Sequence, residues 1–491
     1  MIKNNFYKKF DGVTAILYRY RHYLIAAYFI LSVIFFFVQF DLLKNWDMLV
    51  RILDSNYFFH NGNYFEPQRA LLESFIIGLL SFVFGSYSVF AFIAFFTFVF
   101  FLAVYFFSKS FGVEYVILLG ILLNPFFLFY AIKNGSELPM YSFIIFFISF
   151  VKLKKPIAGV FFALAFVSKY DSLFMLPIAL FLIDKKYLES AKRIALFIAV
   201  TLLALTPFFA YNLILYHDPL FTFFMSLAEN APSLSSFQIT NHSYFYQGFY
   251  ELLSLLPLVA VILFFNRNVI KTIKKKKREF SIIVLLSILA FMIYVFASGL
   301  YSSGTGYYRF FLFVTVSLTL LVSVLTKREM LLLTVIFFAV SLLIAYHFLF
   351  FQNFSITTLN SEVSAAKQLL LQKYGTTNCT VQSNNWVYLD YYGISATYIH
   401  VGNYSQYPII SFGKMAGNYT LQNETDGIYL YTYGISDSKC SFTPVIDFKY
   451  GVNYDINLSM ENNRIGCYNL YSKVHYAFVL SACLSVMKAF S

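Results

Sequence analysis

The chain has 491 residues, of which 59% are hydrophobic and 12% charged, with a formal net charge of +12. A soluble domain carries about 25% charge, so a water-soluble globule is excluded. The excess cations sit mostly in short segments between apolar runs, as the positive-inside rule places them, and nucleic acid is not needed to explain them.

Met1 to His22 is rich in Lys and Arg and enters an apolar run without a small-residue cleavage site, which reads as an uncleaved anchor with a cytoplasmic N-terminus. Tyr23 to Phe40, Val89 to Phe107 and Ser281 to Ser298 carry no charge over the length that crosses ~30 Å of hydrocarbon. Cationic clusters at Lys3 to Arg21, Lys152 to Lys155, Lys185 to Arg193, Arg267 to Arg278 and Lys327 to Arg328, with Lys109 alone, are assigned to the cytoplasm. Crossings at 23–39, 89–107, 114–132, 138–151, 156–168, 172–184, 194–213, 246–265, 281–299, 309–326 and 330–350 return every basic loop to that side. This gives about eleven spans of a multi-pass cell-membrane protein. Ala70 to Tyr87 is apolar but interrupted by Glu73, Gly78 and Gly85, and the parity of the basic loops makes it a juxtamembrane or re-entrant helix at the outer face.

The expected fold class is therefore an α-helical polytopic membrane protein with a small C-terminal α/β domain outside the cytoplasm. Residues 1–351 form the transmembrane region and 352–491 the tail. In the tail, Ser361 to Tyr374 and Trp386 to Tyr392 are predicted helices, and Thr380 to Ser383, Ala396 to Val401 and Ile428 to Tyr433 predicted strands. Val474 to Phe490 is apolar again, either a last span or a helix packed on the tail. Cys379, Cys440 and Cys467 permit one disulfide in an oxidising compartment, with one thiol left over. No CxxC pair occurs, so zinc and dithiol chemistry have no support, and no metal-ligating residues are assigned.

The spans are nearly bare of charge, whereas acids and cations gather at their external ends. That pattern points away from ion transport and toward chemistry at the outer surface on a substrate arriving through the bilayer. The first external loop is dense: Asn45-Trp46-Asp47 opens it, Arg51 and Asp54 follow, and Glu66-Pro67-Gln68-Arg69 closes it. A helix over 46–58 puts Asp47, Arg51 and Asp54 on one side. An interfacial helix with solvated charges is the alternative. Glu137, beside the Asn134-Gly135-Ser136 break, is the second acid, unless it merely lies in a first turn capped by Ser136. Lys169 and Arg309 stand at external span ends, where a lipid phosphate would meet a point charge and a bidentate fork, or where both snorkel to headgroups.

At these residues the chain resembles the GT-C superfamily of polytopic glycosyltransferases that use polyprenyl-phosphate sugars, including protein O-mannosyltransferases, lipid A aminoarabinose transferases and their archaeal relatives. The pieces are Asp47, Phe84-Gly85, Lys109-Ser110-Phe111-Gly112, Asn124-Pro125, Glu137, Val167-Ser168-Lys169-Tyr170, Pro207, Tyr211-Asn212, Asp218-Pro219 and Tyr308-Arg309, in this order over about residues 23–350. The resemblance implies catalytic Asp47 and Glu137, with Lys169 and Arg309 holding the lipid phosphate; Arg51, Arg69 and Tyr308 are further candidates for binding substrate. It implies transfer of a hexose such as mannose from a polyprenyl (dolichyl) phosphate to a protein, glycan or lipid acceptor, with inversion, and a tail that closes over the site. A divalent metal is the one cofactor it leaves open, and the acidic pair beside Asp47 that commonly supports one is missing. Membrane lipids are the other expected partners.

Trp386-Val387-Tyr388-Leu389-Asp390-Tyr391-Tyr392-Gly393 is similar to the Trp-Trp-Asp-Tyr-Gly motif of oligosaccharyltransferases, with different spacing. A transporter or flippase is the rival from another class and predicts paired halves with broken helices at mid-bilayer. The sequence has neither a clear repeat nor mid-span charge.

Overall fold

The computed structural model describes residues 46–113, 137–183, 187–223, 269–300, 356–399 and 407–433 with few interruptions, and isolated positions elsewhere. The expected spans at 23–39, 114–132, 246–265, 309–326 and 330–350 fall outside the described residues apart from scattered positions, and 474–490 wholly so.

Along the chain come α1 (Trp46–Phe59), β1 (Tyr64–Phe65), α2 (Leu72–Phe84), a 3-10 turn at Gly85–Tyr87, α3 (Ser88–Phe111), α4 (Glu137–Lys152) and α5 (Ala158–Ser168). A 3-10 stretch at Tyr170–Leu182 precedes α6 (Tyr187–Tyr216), α7 (Val269–Lys275) and α8 (Lys277–Leu300). The tail carries α9 (Ile356–Tyr374), β2 (Val381–Ser383), α10 (Trp386–Tyr391), β3 (Ala396–Tyr398), β4 (Ile409–Ser411), β5 (Tyr419–Thr425), β6 (Ile428–Tyr433) and β7 (Val445–Ile446). The described chain is thus mostly helical with a small mixed sheet.

Among the described residues, Leu72–Phe111 and Leu188–Tyr216 are long and apolar enough to cross a membrane. Both expose large apolar side chains, among them Phe75, Phe82 and Val83 on α2 and Leu202, Leu203 and Ile214 on α6, as a hydrocarbon surround permits. Gly85, at φ +54°, turns α2 into the 3-10 step before α3, a backbone conformation that glycine adopts without steric cost.

Packing divides the chain into two compact units. One comprises Met1–Phe37, Ile93–Phe209 and Ala231–Gln352, the other Val38–Phe92, Ala210–Asn230 and Asn353–Ser491. The second therefore contains the segment from Trp46 to Arg69, expected as an external loop, together with the tail.

In the first unit α4 is the inner helix, with every residue buried except Phe150 and Lys152. Phenylalanine rings join it to α5: Phe161 stacks on Phe146 at 4.7 Å and on Phe150 at 5.1 Å between centroids. Gly159 lets α5 meet α6 backbone to backbone, since a Cβ there would lie 2.6 Å from the Phe197 carbonyl oxygen. The Tyr170–Leu182 stretch, expected as a crossing at 172–184, is a 3-10 helix of 13 residues containing Pro177. At ~2.0 Å per residue it rises about 26 Å, where an α-helix of that length would rise about 20 Å.

In the second unit one apolar core joins Leu49, Val50 and Leu53 of α1 and Tyr64 of β1 to Leu369 and Leu370 of α9, Val381, Trp386, Val387, Ile410 and Leu430. The five-stranded sheet has the order β3-β2-β4-β6-β5, parallel across β3, β2 and β4 and antiparallel from β4 through β6 to β5. β2 and β4 are buried along their whole length, and β5 is the exposed edge. A separate two-stranded sheet pairs Tyr64 with Val445 and Phe65 with Ile446 in parallel, stitching the first loop to the tail. Cys379 and Cys440 form a disulfide.

Candidate functional site

Asp47 lies in the first turn of α1, where the helix N-terminus favours an anion. Arg69 returns to it from the far end of the loop: Nη1 donates to Asp47 Oδ1 at 2.6 Å, and Nε donates to Glu66 Oε2 at 2.7 Å. The guanidinium thus bridges two carboxylates. The outer members are partly open, Arg69 at 22% and Asp47 at 19% side-chain exposure, and Glu66 is buried at 4%.

Behind this pair the loop is locked. Tyr64 donates its hydroxyl to Glu66 Oε1, and the Trp386 indole N–H donates to Tyr64 Oη at 2.8 Å. Trp46, next to Asp47, meets Trp386 edge-on at 4.5 Å and Tyr388 at 5.4 Å. Burial, the nearby Asp47 charge and Tyr392 together raise the Tyr388 phenol above its ordinary value.

Arg51 and Asp54 are both buried, which overturns the alternative of a solvated interfacial face. Arg51 Nη1 donates to the Ala70 carbonyl oxygen, and Asp54 Oδ1 accepts the Glu66 backbone N–H at 3.0 Å. Burial and the Glu66 charge push the Asp54 carboxyl from 3.8 up to about 8, against the smaller opposing effects of the Glu66 N–H, Arg51 and Arg69. Burial thus favours the protonated form of Asp54, and Arg51 is a loop-closing residue with its charge turned inward.

Glu137, at the start of α4, is fully buried, and Lys169 Nζ donates to its Oε1 at 2.7 Å. Asp171 Oδ2 stands 3.8 Å from the same nitrogen. The sequence offered only Asp171 as an acidic neighbour of Lys169. The fold unites the second acid and the proposed phosphate cation in one ion pair, so a phosphate reaching Lys169 must share it with Glu137. Tyr308 and Arg309 lie outside the described residues.

Asp390, in the stretch similar to the oligosaccharyltransferase motif, accepts the Ala396 N–H through both carboxylate oxygens at 3.2 Å. It secures the start of β3. No group of three or more His, Cys, Asp or Glu side chains suited to a metal ion occurs among the described residues.

Sequence reasoning singled out Asp47 and Arg69 but not Tyr64, Glu66 or Trp386 as site members. Glu66 was visible as the acid three residues before Arg69, but the Trp386–Tyr64 bond spans 322 residues and has no local signature. Comparison with known protein families, with curated proteins and with solved structures gives no match to this chain.

Proposed function

We propose that this chain is a GT-C-type membrane glycosyltransferase of about eleven spans, moving a hexose from a polyprenyl-phosphate donor to an acceptor hydroxyl at the outer face of the cell membrane. The observation that carries the reading is the partly open Asp47 carboxylate, oriented by Arg69, whose guanidinium is itself held by the buried Glu66. A general base needs access to the acceptor and a fixed direction, and this carboxylate has both. The acceptor oxygen attacks the anomeric carbon, its proton passes to Asp47, and the bond to the lipid phosphate breaks with the electron pair left on the phosphate. A single displacement of this kind inverts the anomeric centre. Cations near the departing phosphate lower the barrier as charge develops there. The Cys379–Cys440 disulfide supports an extracytoplasmic tail, because such bonds persist in oxidising compartments.

The test is transfer from a radiolabelled polyprenyl-phosphate sugar by the purified chain in detergent. Asp47→Asn keeps the size of the side chain but cannot take up the proton, and transfer should drop about 10²–10⁴-fold with insertion and melting unchanged. Activity within a few-fold of wild type would remove Asp47 from the base role.

A further inference from the structure

We infer that the tail is a working part of the site in the first loop, with Trp386 and Tyr64 as positioning residues for Asp47. The inference deepens the transferase reading and rests on it. The path is continuous: Trp386 Nε1–H donates to Tyr64 Oη at 2.8 Å, Tyr64 donates to Glu66, Glu66 Oε2 accepts from Arg69 Nε at 2.7 Å, and Arg69 Nη1 donates to Asp47 at 2.6 Å. Its three inner members are buried, at 7% exposure for Trp386, 2% for Tyr64 and 3% for Glu66, so water cannot easily replace a missing partner.

The direction of control follows from what each group can do. A tyrosine hydroxyl has one hydrogen to give, and here Trp386 occupies it as an acceptor and leaves that hydrogen aimed at Glu66. Glu66 in turn fixes which way the Arg69 fork faces, because Nε is committed to Oε2 and only the outer nitrogens remain for Asp47. The residue before Asp47, Trp46, packs on Trp386 and Tyr388, so the tail also holds the start of α1. A displaced tail would free Arg69 to turn and Asp47 to swing with it.

Tyr64→Phe and Trp386→Phe each remove one polar group and keep an aromatic ring. In each, kcat should drop about 10- to 100-fold, with donor KM held within about two-fold, because a misdirected base slows the chemical step without touching the donor. The double variant should lose little more than the worse single variant, since both act along one path. A purely structural role predicts instead lower melting temperatures with kcat intact in the folded fraction, and that result would overturn the inference. Trp386→Phe serves where Tyr64→Phe fails to fold. Asp47→Asn separates the two levels: if it loses transfer while both phenylalanine variants keep kcat, the positioning path fails alone. If Asp47→Asn transfers normally, the reading of Asp47 as base fails, and the path with it.

Discussion

Asp47 and Asp54 stand on the same helix and both meet the segment that closes the loop, Asp47 through Arg69 and Asp54 through the Glu66 N–H. Asp47 is partly open and ion-paired with Arg69, whereas Asp54 is buried and its carboxyl is pushed up to about 8. The second arrangement has a thermodynamic signature. Between about 4 and 8 the folded chain holds a proton on Asp54 that the unfolded chain has released. Stability contributed by this residue is therefore present at low pH, falls by about 1.4 kcal/mol per pH unit through that window, and levels off above it. Asp54→Asn should flatten that slope, so that the stability difference between variant and wild type moves in the variant's favour from pH 5 to pH 8. Chemical unfolding across that range measures it, and parallel curves for the two proteins would show that Asp54 is ionised in the fold. Sequence periodicity put Asp54 on one side with Asp47 and Arg51, but periodicity does not report whether that side faces water or protein.

At the scale of elements, the long apolar helices and three of the tail's strands were legible because their residue patterns are local, whereas β4, Ile409–Ser411, was missed although buried, its three residues being too few to show a pattern. Trp386 to Tyr392 and Ile428 to Tyr433 were expected as a helix and a strand, and the fold has them at Trp386–Tyr391 and Ile428–Tyr433. β5, Tyr419–Thr425, was missed because it lies exposed at the sheet edge and has no apolar face to show. β1 and β7 escaped for another reason: two residues carry no pattern, and each is a strand only because the other is beside it. Gly159 is a similar case, an apparently ordinary glycine in a helix whose missing side chain sets how closely two helices approach. In Gly159→Ala the added carbon would meet the Phe197 carbonyl oxygen and the Thr201 hydroxyl, both at 2.6 Å, and backbone cannot step aside as a flexible side chain can. The variant should lose about 1–3 kcal/mol. Thermal melting in detergent reads this, and an unchanged midpoint would mean that the two helices are less closely packed.

At the scale of the whole molecule, the sequence divided the chain at 351, while packing groups the first loop with the tail. Hydropathy detects where a chain leaves the membrane, not which of the emerging segments will find each other. The proposed topology puts both of these on the outside, and it can be checked on exposed described positions. In a background lacking Cys467 and Cys483, a cysteine replacing Glu424 on β5 should react with an impermeant thiol reagent added outside intact cells, and one replacing Lys275 on α7 should react only after permeabilisation. The reverse pattern would turn Asp47 toward the cytoplasm and end the proposal of chemistry at the outer face.

The bond between Trp386 and Tyr64 also sets a clock on biosynthesis. Its two ends are made 322 residues apart, and a ribosome adding about 5–20 residues per second needs roughly 15–65 s to cover that distance. Through that interval the nascent first loop has Asp47, Glu66 and Arg69 but neither Trp386 nor β7 to close it. The loop must wait, unfinished, and a chain interrupted before Trp386 would carry Asp47, Glu66 and Arg69 without the tail's hold on Tyr64.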